Sequence, residues 1–288
     1  MDLLSQLTAF VRIGGELQAL CPITQCWLED CPAVPAGVVP FHIVLTGACV
    51  FELPQAKLRQ HMAQGDIVVL PHGAHHRLLP VAPSERVANP RILCGTFTIA
   101  AVRESALLGN LPEHLIVQTA GRDDFTWLPA VLDMMEAETR VERPGTQGVV
   151  SDLSSAVFTL VLRAWLESGQ MLPGALAMMR HPILQKVALL ILERPEHNWT
   201  VEALAGQVHM SRATLLRLVA KYDAPTPQQL QTELRMHRAA QHLARGNVSA
   251  GRVAEMVGYE SEAAFNRAFK RAFDITPGRY AQRGRVTP

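Results

Sequence analysis

The chain has 288 residues, 48% hydrophobic and 18% charged, which is ordinary for a globular protein with room for two domains. No apolar run reaches the ~18 residues of a membrane span, so a membrane partner is not expected. The net charge of +1 hides an asymmetry: residues 201–288 hold 13 of the 27 basic and 7 of the 26 acidic side chains. A basic C-terminal third on an acidic remainder is the footprint of a phosphate-binding module.

The N-terminus, MDLLSQLTAFVRIGGEL, carries an early acid and lacks a basic start before a cleavable apolar core. It is not a signal peptide, and the expected compartment is the cytoplasm. Thiols stay reduced there, so the five cysteines are not a structural disulfide framework. From Cys31 to Ile99 the chain is strand-like: PFHIVLTG, ACVFELP, KLRQHM, DIVVLP, HRLLPV and RILCGTFTI are separated by Gly and Pro. Short strands at close spacing predict a barrel or sandwich. Cys49 sits in one of these strands as a small buried hydrophobe.

Within this region Gly65 to His76 reads GDIVVLPHGAHH. It fits the second cupin motif: glycine, five residues, proline, any residue, glycine, two residues, histidine. Residues from about 20 to 100 therefore resemble a cupin sensor barrel. Metal-binding cupins carry a paired His and a Glu in their first motif. Here position 44, two after His42, is Val, and Pro80 stands four after His76 where Asn is usual. The resemblance thus implies no metal and no cofactor, with His42 and His76 the remaining ligand candidates. His72 and His75 are hinge, surface or pocket groups, and an enzyme reading is opposed.

Asp123 to Gln170 reads as helices, DDFTWLPAVLDMMEAETR and, after Pro144-Gly145, GVVSDLSSAVFTLVLRAWLESG. The second has apolar residues at Val150, Leu153, Val157, Leu160, Val161, Ala164 and Trp165, a near-heptad stripe for packing on the barrel or pairing two protomers. MLPGALAMMRHP, residues 171–182, is the expected linker.

The C-terminal part contains one motif twice: TVEALAGQVHMSRATLLRLVAKY from Thr200 and SAGRVAEMVGYESEAAFNRAFKRAF from Ser249. Aligned on Ala205 and Ala254, Leu204 matches Val253, and with one extra residue in the second turn Leu215 matches Phe265 and Val219 matches Phe269. Each copy reads as a short helix, a tight turn and a longer helix. Gly258 suits the second turn, whereas the first has His209. A helix from about Pro227 to Arg245, roughly 28 Å long, joins the copies. Two recognition helices so separated match successive major grooves, which repeat every ~34 Å.

The double motif, the joining helix and the ending AFKRAFDITPGRYAQR resemble the DNA-binding half of AraC/XylS-type transcription regulators, from about His181 to Arg283. Asp223-Ala224 departs from the pattern, which usually has Gly after the first recognition helix. The resemblance implies double-stranded DNA and RNA polymerase as partners. Arg212, Ala213, Thr214, Leu216, Arg217 and Lys221 would face outward from the first recognition helix. Glu262, Ala263, Asn266, Arg267 and Lys270 would face outward from the second. Arg217 is placed to read guanine, Asn266 adenine, and Arg267 guanine or phosphate. Ala213 and Leu216 reach thymine methyls. Lys221, Lys270 and Arg271 suit phosphates.

A second resemblance rests on MDLLSQL, VVLPHGAHHRL, the LCGT around Cys94, and HPILQKV. These are similar to a reactive-chlorine-responsive branch of the same family, whose regulators are activators. It implies that Cys94 and Cys21 are redox-active, with Cys26 and Cys31 as other partners for Cys94. An oxidised thiol in a sulfenic or sulfenyl-chloride state condenses quickly with a nearby thiol. The expected protein is α+β: a cupin-like sensor over 1–122, a helical dimerisation and linker region over 123–180, and an all-α double helix-turn-helix domain over 181–288. A homodimer would pair through 147–168. It is a DNA-binding regulator and not an enzyme, responding to an oxidant or to a small organic effector in the barrel.

Overall fold

The computed structural model describes residues 2–11, 13–22, 29–35, 37–81, 90–99, 111–141, 143–168, 174–246 and 248–284. They form two compact units. One comprises 11–100 and 111–170; the other contains 1–10, with all but the last residue of the first helix, α1 (Leu3–Val11), and the chain from 171 onward.

The first unit is a barrel of two facing sheets. Its strands are β1 (Ile13–Pro22), β2 (Glu29–Cys31), β3 (Val38–Thr46), β4 (Ala48–Leu53), β5 (Leu58–Ala63), β6 (Ile67–Val69), β7 (His76–Pro80), β8 (Arg91–Ile99) and β9 (Leu115–Val117). One sheet runs β1-β8-β3-β6-β9, the other β2-β7-β4-β5. All six strands expected from the sequence are present. β1, β2 and β9 add to them; the Gly14-Gly15 pair in β1 and the brevity of the other two leave little strand signal.

Strand alternation sends one side of each sheet into the barrel. The interior holds Val44, Cys49, Phe51, Leu53, Met62, Val68, Leu70, Leu78, Ile92 and Cys94. On the outer face of the five-stranded sheet, Phe41 stacks on Phe97 at 4.4 Å between ring centroids, and Phe97 meets Phe158 edge-on at 5.1 Å. Each ring so buried contributes roughly 2–3 kcal/mol. The cupin-motif glycine Gly73 takes φ +63, and a β-carbon there would crowd Val34.

Phe158 belongs to α3 (Thr146–Glu167), which follows α2 (Leu128–Arg140) and packs on β1, β8 and β9. By length and composition α3 meets a membrane-span criterion. Asp152 and Arg163 interrupt its apolar run, so no uninterrupted apolar stretch reaches a span, and one of its faces is buried in the chain's own fold. Val150, Val157, Val161, Ala164 and Trp165, most of the stripe expected to pack on the barrel or to pair two protomers, are buried in the chain's own fold. Leu153 and Leu160 stay half-buried.

The second unit is helical: a 3-10 turn Gly174–Arg180, then α4 (Pro182–Glu193), α5 (Val201–Gln207), α6 (Arg212–Lys221), α7 (Pro227–Ala244), α8 (Ala250–Met256), α9 (Glu262–Phe273) and α10 (Pro277–Gly284). Thr200, Ser211, Thr226, Ser249 and Ser261 each cap the helix they precede by accepting from a backbone N–H of its first turn. Such caps contribute about 1 kcal/mol apiece.

Candidate functional sites

The two motif copies superpose in burial. Ser211–Ala220 and Ser261–Lys270 follow the same ten-residue order of exposed, half-buried and buried positions. Leu215 and Val219 in one, and Phe265 and Phe269 in the other, face the core. Arg212, Ala213, Arg217, Lys221, Glu262, Ala263, Arg267 and Lys270 are exposed, while Thr214, Leu216 and Asn266 are half-buried. The turns agree as well: His209 adopts φ +54 and Gly258 φ +82, so the first copy makes the left-handed turn without glycine. Asp223, at the other departure from the family pattern, has φ +51. His and Asp are among the side chains enriched in this region.

Several outward groups have local partners. Arg217 lies along its own helix, donating to the Ala213 carbonyl and the Thr214 hydroxyl at 3.4 and 3.3 Å. Arg212 pairs with Glu202 at 2.8 Å. Both arrangements are exposed and weak enough to exchange for phosphate or base contacts. The Asn266 side-chain oxygen lacks a hydrogen-bond partner among the described residues.

The second site lies inside the barrel. His42 and Cys94 face each other across β3 and β8, in direct register. His76 and Cys31 do the same across β7 and β2 of the opposite sheet. The sheets thus bring two histidines and two cysteines to one place. His42 Nδ1 lies 3.2 Å from Cys94 Sγ, and His42 Nε2 lies 2.7 Å from His76 Nε2. His76 Nδ1 donates to the Ala74 carbonyl at 2.8 Å. Cys31 Sγ and a ring nitrogen of each histidine all lie within 4.8 Å of one another. Burial keeps both rings neutral: His42 is pushed down to about 3 by desolvation and then by His76, and His76 is lowered mainly by desolvation.

The other candidates are elsewhere. His72 donates to the Leu111 carbonyl at 2.6 Å, and His75 joins Asp30 and Arg77 on the surface. Cys49 is buried, and desolvation drives its thiol up to about 12, which leaves it inert. Cys21 is opposite Ile92 in the β1–β8 pairing, two positions along β8 from Cys94. Cys26 lies outside the described residues. Sequence reasoning identified His42 and His76 but did not join them to Cys31, which lies before the cupin motif. Only the strand register brings it there.

Similarity to known proteins agrees with this division. A family model described as Cupin matches residues 2–167, and one described as Helix-turn-helix domain matches residues 204–283. The RCS-specific HTH-type transcriptional activator RclR of Escherichia coli K12 is 33% identical, with 99% of each chain covered. The HTH-type transcriptional regulator MtrA of Neisseria gonorrhoeae is 27% identical over 99% of each chain. The HTH-type transcriptional regulator AlkR of Acinetobacter baylyi is 30% identical, covering 84% of this chain and 87% of AlkR.

Proposed function

This chain belongs to the AraC-type transcription regulators with an N-terminal cupin domain, and we propose that oxidation of Cys94 is the signal its barrel reads. It is a DNA-binding regulator rather than an enzyme. The observation that carries the redox reading is the pairing of the Cys94 sulfur with His42 Nδ1 at 3.2 Å. An imidazole so placed holds the Cys94 sulfur in one orientation by a hydrogen bond, ready to attack the chlorine of hypochlorous acid. The similarity to an RCS-specific activator supports the same reading and makes activation the expected sign of regulation.

The chemistry takes two steps. Hypochlorous acid converts the Cys94 thiol to a sulfenyl chloride and water. The Cys21 thiol then displaces chloride, giving a Cys21–Cys94 disulfide and releasing a proton. Two electrons pass from the two thiols to chlorine. Diagonal positions on adjacent strands are about 7–8 Å apart, beyond the usual disulfide limit of about 6.8 Å between α-carbons. Closing the bond therefore shifts β1 along or toward β8, and that displacement is the switch. Cys26 and Cys31 are the alternative partners for Cys94.

The output is promoter binding by α6 and α9, through Arg212, Ala213, Thr214, Leu216, Arg217 and Lys221 in the first and Glu262, Ala263, Asn266, Arg267 and Lys270 in the second, with RNA polymerase as a further partner. A homodimer through 147–168 would use Val149, Leu153, Ala156 and Leu160, which α3 does not bury. The domain division proposed with this function is 1–122 for the sensor, 123–180 for the helical dimerisation and linker region and 181–288 for the DNA-binding domain. A second reading has its own observation. A cavity of about 420 Å³ lined by Val44, Gly65, Arg91, Phe125, Leu132 and Glu136 is of a size to hold a small organic effector.

The test is reporter transcription with and without hypochlorite, in wild type and Cys94→Ser, with peptide mapping of the oxidised protein. Loss of the response in the variant, and a Cys21–Cys94 peptide in the wild type, are expected. A full response in Cys94→Ser would transfer the signal to the effector cavity.

A further inference from the structure

We propose that Cys31, His42 and His76 bind one zinc ion inside the barrel, with Cys94 holding His42 from behind. The donors come from both sheets, Cys31 and His76 from β2 and β7 and His42 from β3, so an ion would tie the barrel's two halves together. This inference does not depend on the redox reading.

The tautomers follow from the hydrogen bonds. A carbonyl oxygen only accepts, so the bond from His76 Nδ1 to Ala74 puts that ring's proton on Nδ1. Neutral His76 therefore aims the lone pair of Nε2 at His42 Nε2, 2.7 Å away. Without a cation, His42 must place its proton on Nε2 and donate it there. With a cation, both Nε2 lone pairs turn to the ion and the His42 proton moves to Nδ1. Cys94 Sγ, 3.2 Å from Nδ1, is then the acceptor. Ligating histidines commonly give their second N–H to such a partner, which fixes the ring and raises its basicity. Both rings thus have a partner on the nitrogen facing away from the ion.

The donor set selects the metal. One thiolate and two imidazoles suit zinc, whereas magnesium and calcium prefer oxygen. The two rings are buried, 1% and 5% exposed, so an ion between them would be shielded from water. Binding removes one proton, from the Cys31 thiol, leaving a zinc–thiolate bond. Tetrahedral zinc at about 2.0–2.1 Å from each nitrogen separates them by roughly 3.3 Å. The rings need only part by about half an ångström. The set also differs from the His-rich first cupin motif, because its sulfur comes from β2 and position 44 is Val. It departs from the expectation of a metal-free barrel, which rested on the histidines without Cys31.

The test uses the reduced full-length protein, stripped of metal and titrated with cobalt(II) alone, then with zinc(II). One equivalent of cobalt should produce thiolate-to-cobalt charge transfer in the near ultraviolet and the intense visible bands of a tetrahedral site, both abolished by one equivalent of zinc. Cys31→Ser should lose the charge-transfer band while retaining the circular dichroism of the folded protein, and His76→Gln should lower affinity at least tenfold. Cys94→Ser should keep the band but bind about 10–100-fold more weakly, as loss of an outer-shell partner does. Cys49→Ser should match the wild type. Absence of the band at one equivalent, or its persistence in folded Cys31→Ser, would overturn the assignment.

Discussion

The two helix-turn-helix copies share a burial order but not a turn. In the first copy His209 occupies the left-handed position, exposed and with room around it. In the second copy Gly258 occupies the same position under the chain at 195–197. Arg235 of α7 explains the difference. Its guanidinium donates to the carbonyls of Pro195, Glu196, His197 and Gly258, at 2.6, 3.0, 3.1 and 3.0 Å. Gln231 donates to Pro195 at 3.1 Å and also to His197. One turn is thus clamped to the segment leading into the first copy, while the other is open. A repeated motif has become asymmetric because α7 spends its polar groups on one end.

The largest effect should come from filling the clamped turn. A β-carbon at Gly258 would overlap the Glu196 carbonyl oxygen and lie 3.0 Å from Arg235 Nη2, at a φ of +82. The backbone cannot yield without breaking several of the Arg235 hydrogen bonds. Gly258→Ala should therefore cost about 3 kcal/mol, the sum of left-handed strain and a disturbed, partly buried network. Thermal unfolding of the full chain would measure it. A loss under 1 kcal/mol would mean that the clamp is soft and the asymmetry unimportant.

The readers on α6 and α9 should also differ in kind. Arg217→Ala should lose about 1–3 kcal/mol of specific binding, with relaxed preference at one base pair. Lys270→Ala should weaken all sequences alike and reduce the salt slope by about one. Fluorescence titration with operator and scrambled duplexes at several salt concentrations separates the two. Equal losses on both duplexes for Arg217→Ala would make Arg217 a phosphate contact.

How legible these features were depends on the range of the interactions behind them. The repeat, the caps at Thr200 and Ser211, and the buried pairs Leu215/Phe265 and Val219/Phe269 are local patterns, so the sequence carries them directly. The barrel cluster is not local. His42 and Cys94 are 52 residues apart and meet only through the register of β3 on β8. Cys31 reaches His76 through β2, a strand of three residues with no alternation to detect. Motif matching also judged His42 by its neighbour Val44, whereas its partners come from other strands. The α3 stripe shows the opposite failing: its periodicity was legible, but periodicity does not say whether a face packs on its own barrel or on a second chain.

The smallest effect tests the open turn. His209 adopts φ +54, where an L side chain costs roughly 1–2 kcal/mol relative to right-handed backbone. Glycine removes that cost but adds about 0.5–1 kcal/mol of chain entropy to the unfolded state. His209→Gly should therefore stabilise the domain slightly, by about 0.5 kcal/mol, the reverse of the change at Gly258. The His209 backbone N–H donates to the Gly206 carbonyl at 3.1 Å, a bond that glycine keeps. Its side chain is exposed, so little packing is lost. Paired thermal melts of wild type and His209→Gly would give the sign. A clear destabilisation would mean that the imidazole contributes a contact in the first turn, and that the two turns are closer in kind than their surroundings indicate.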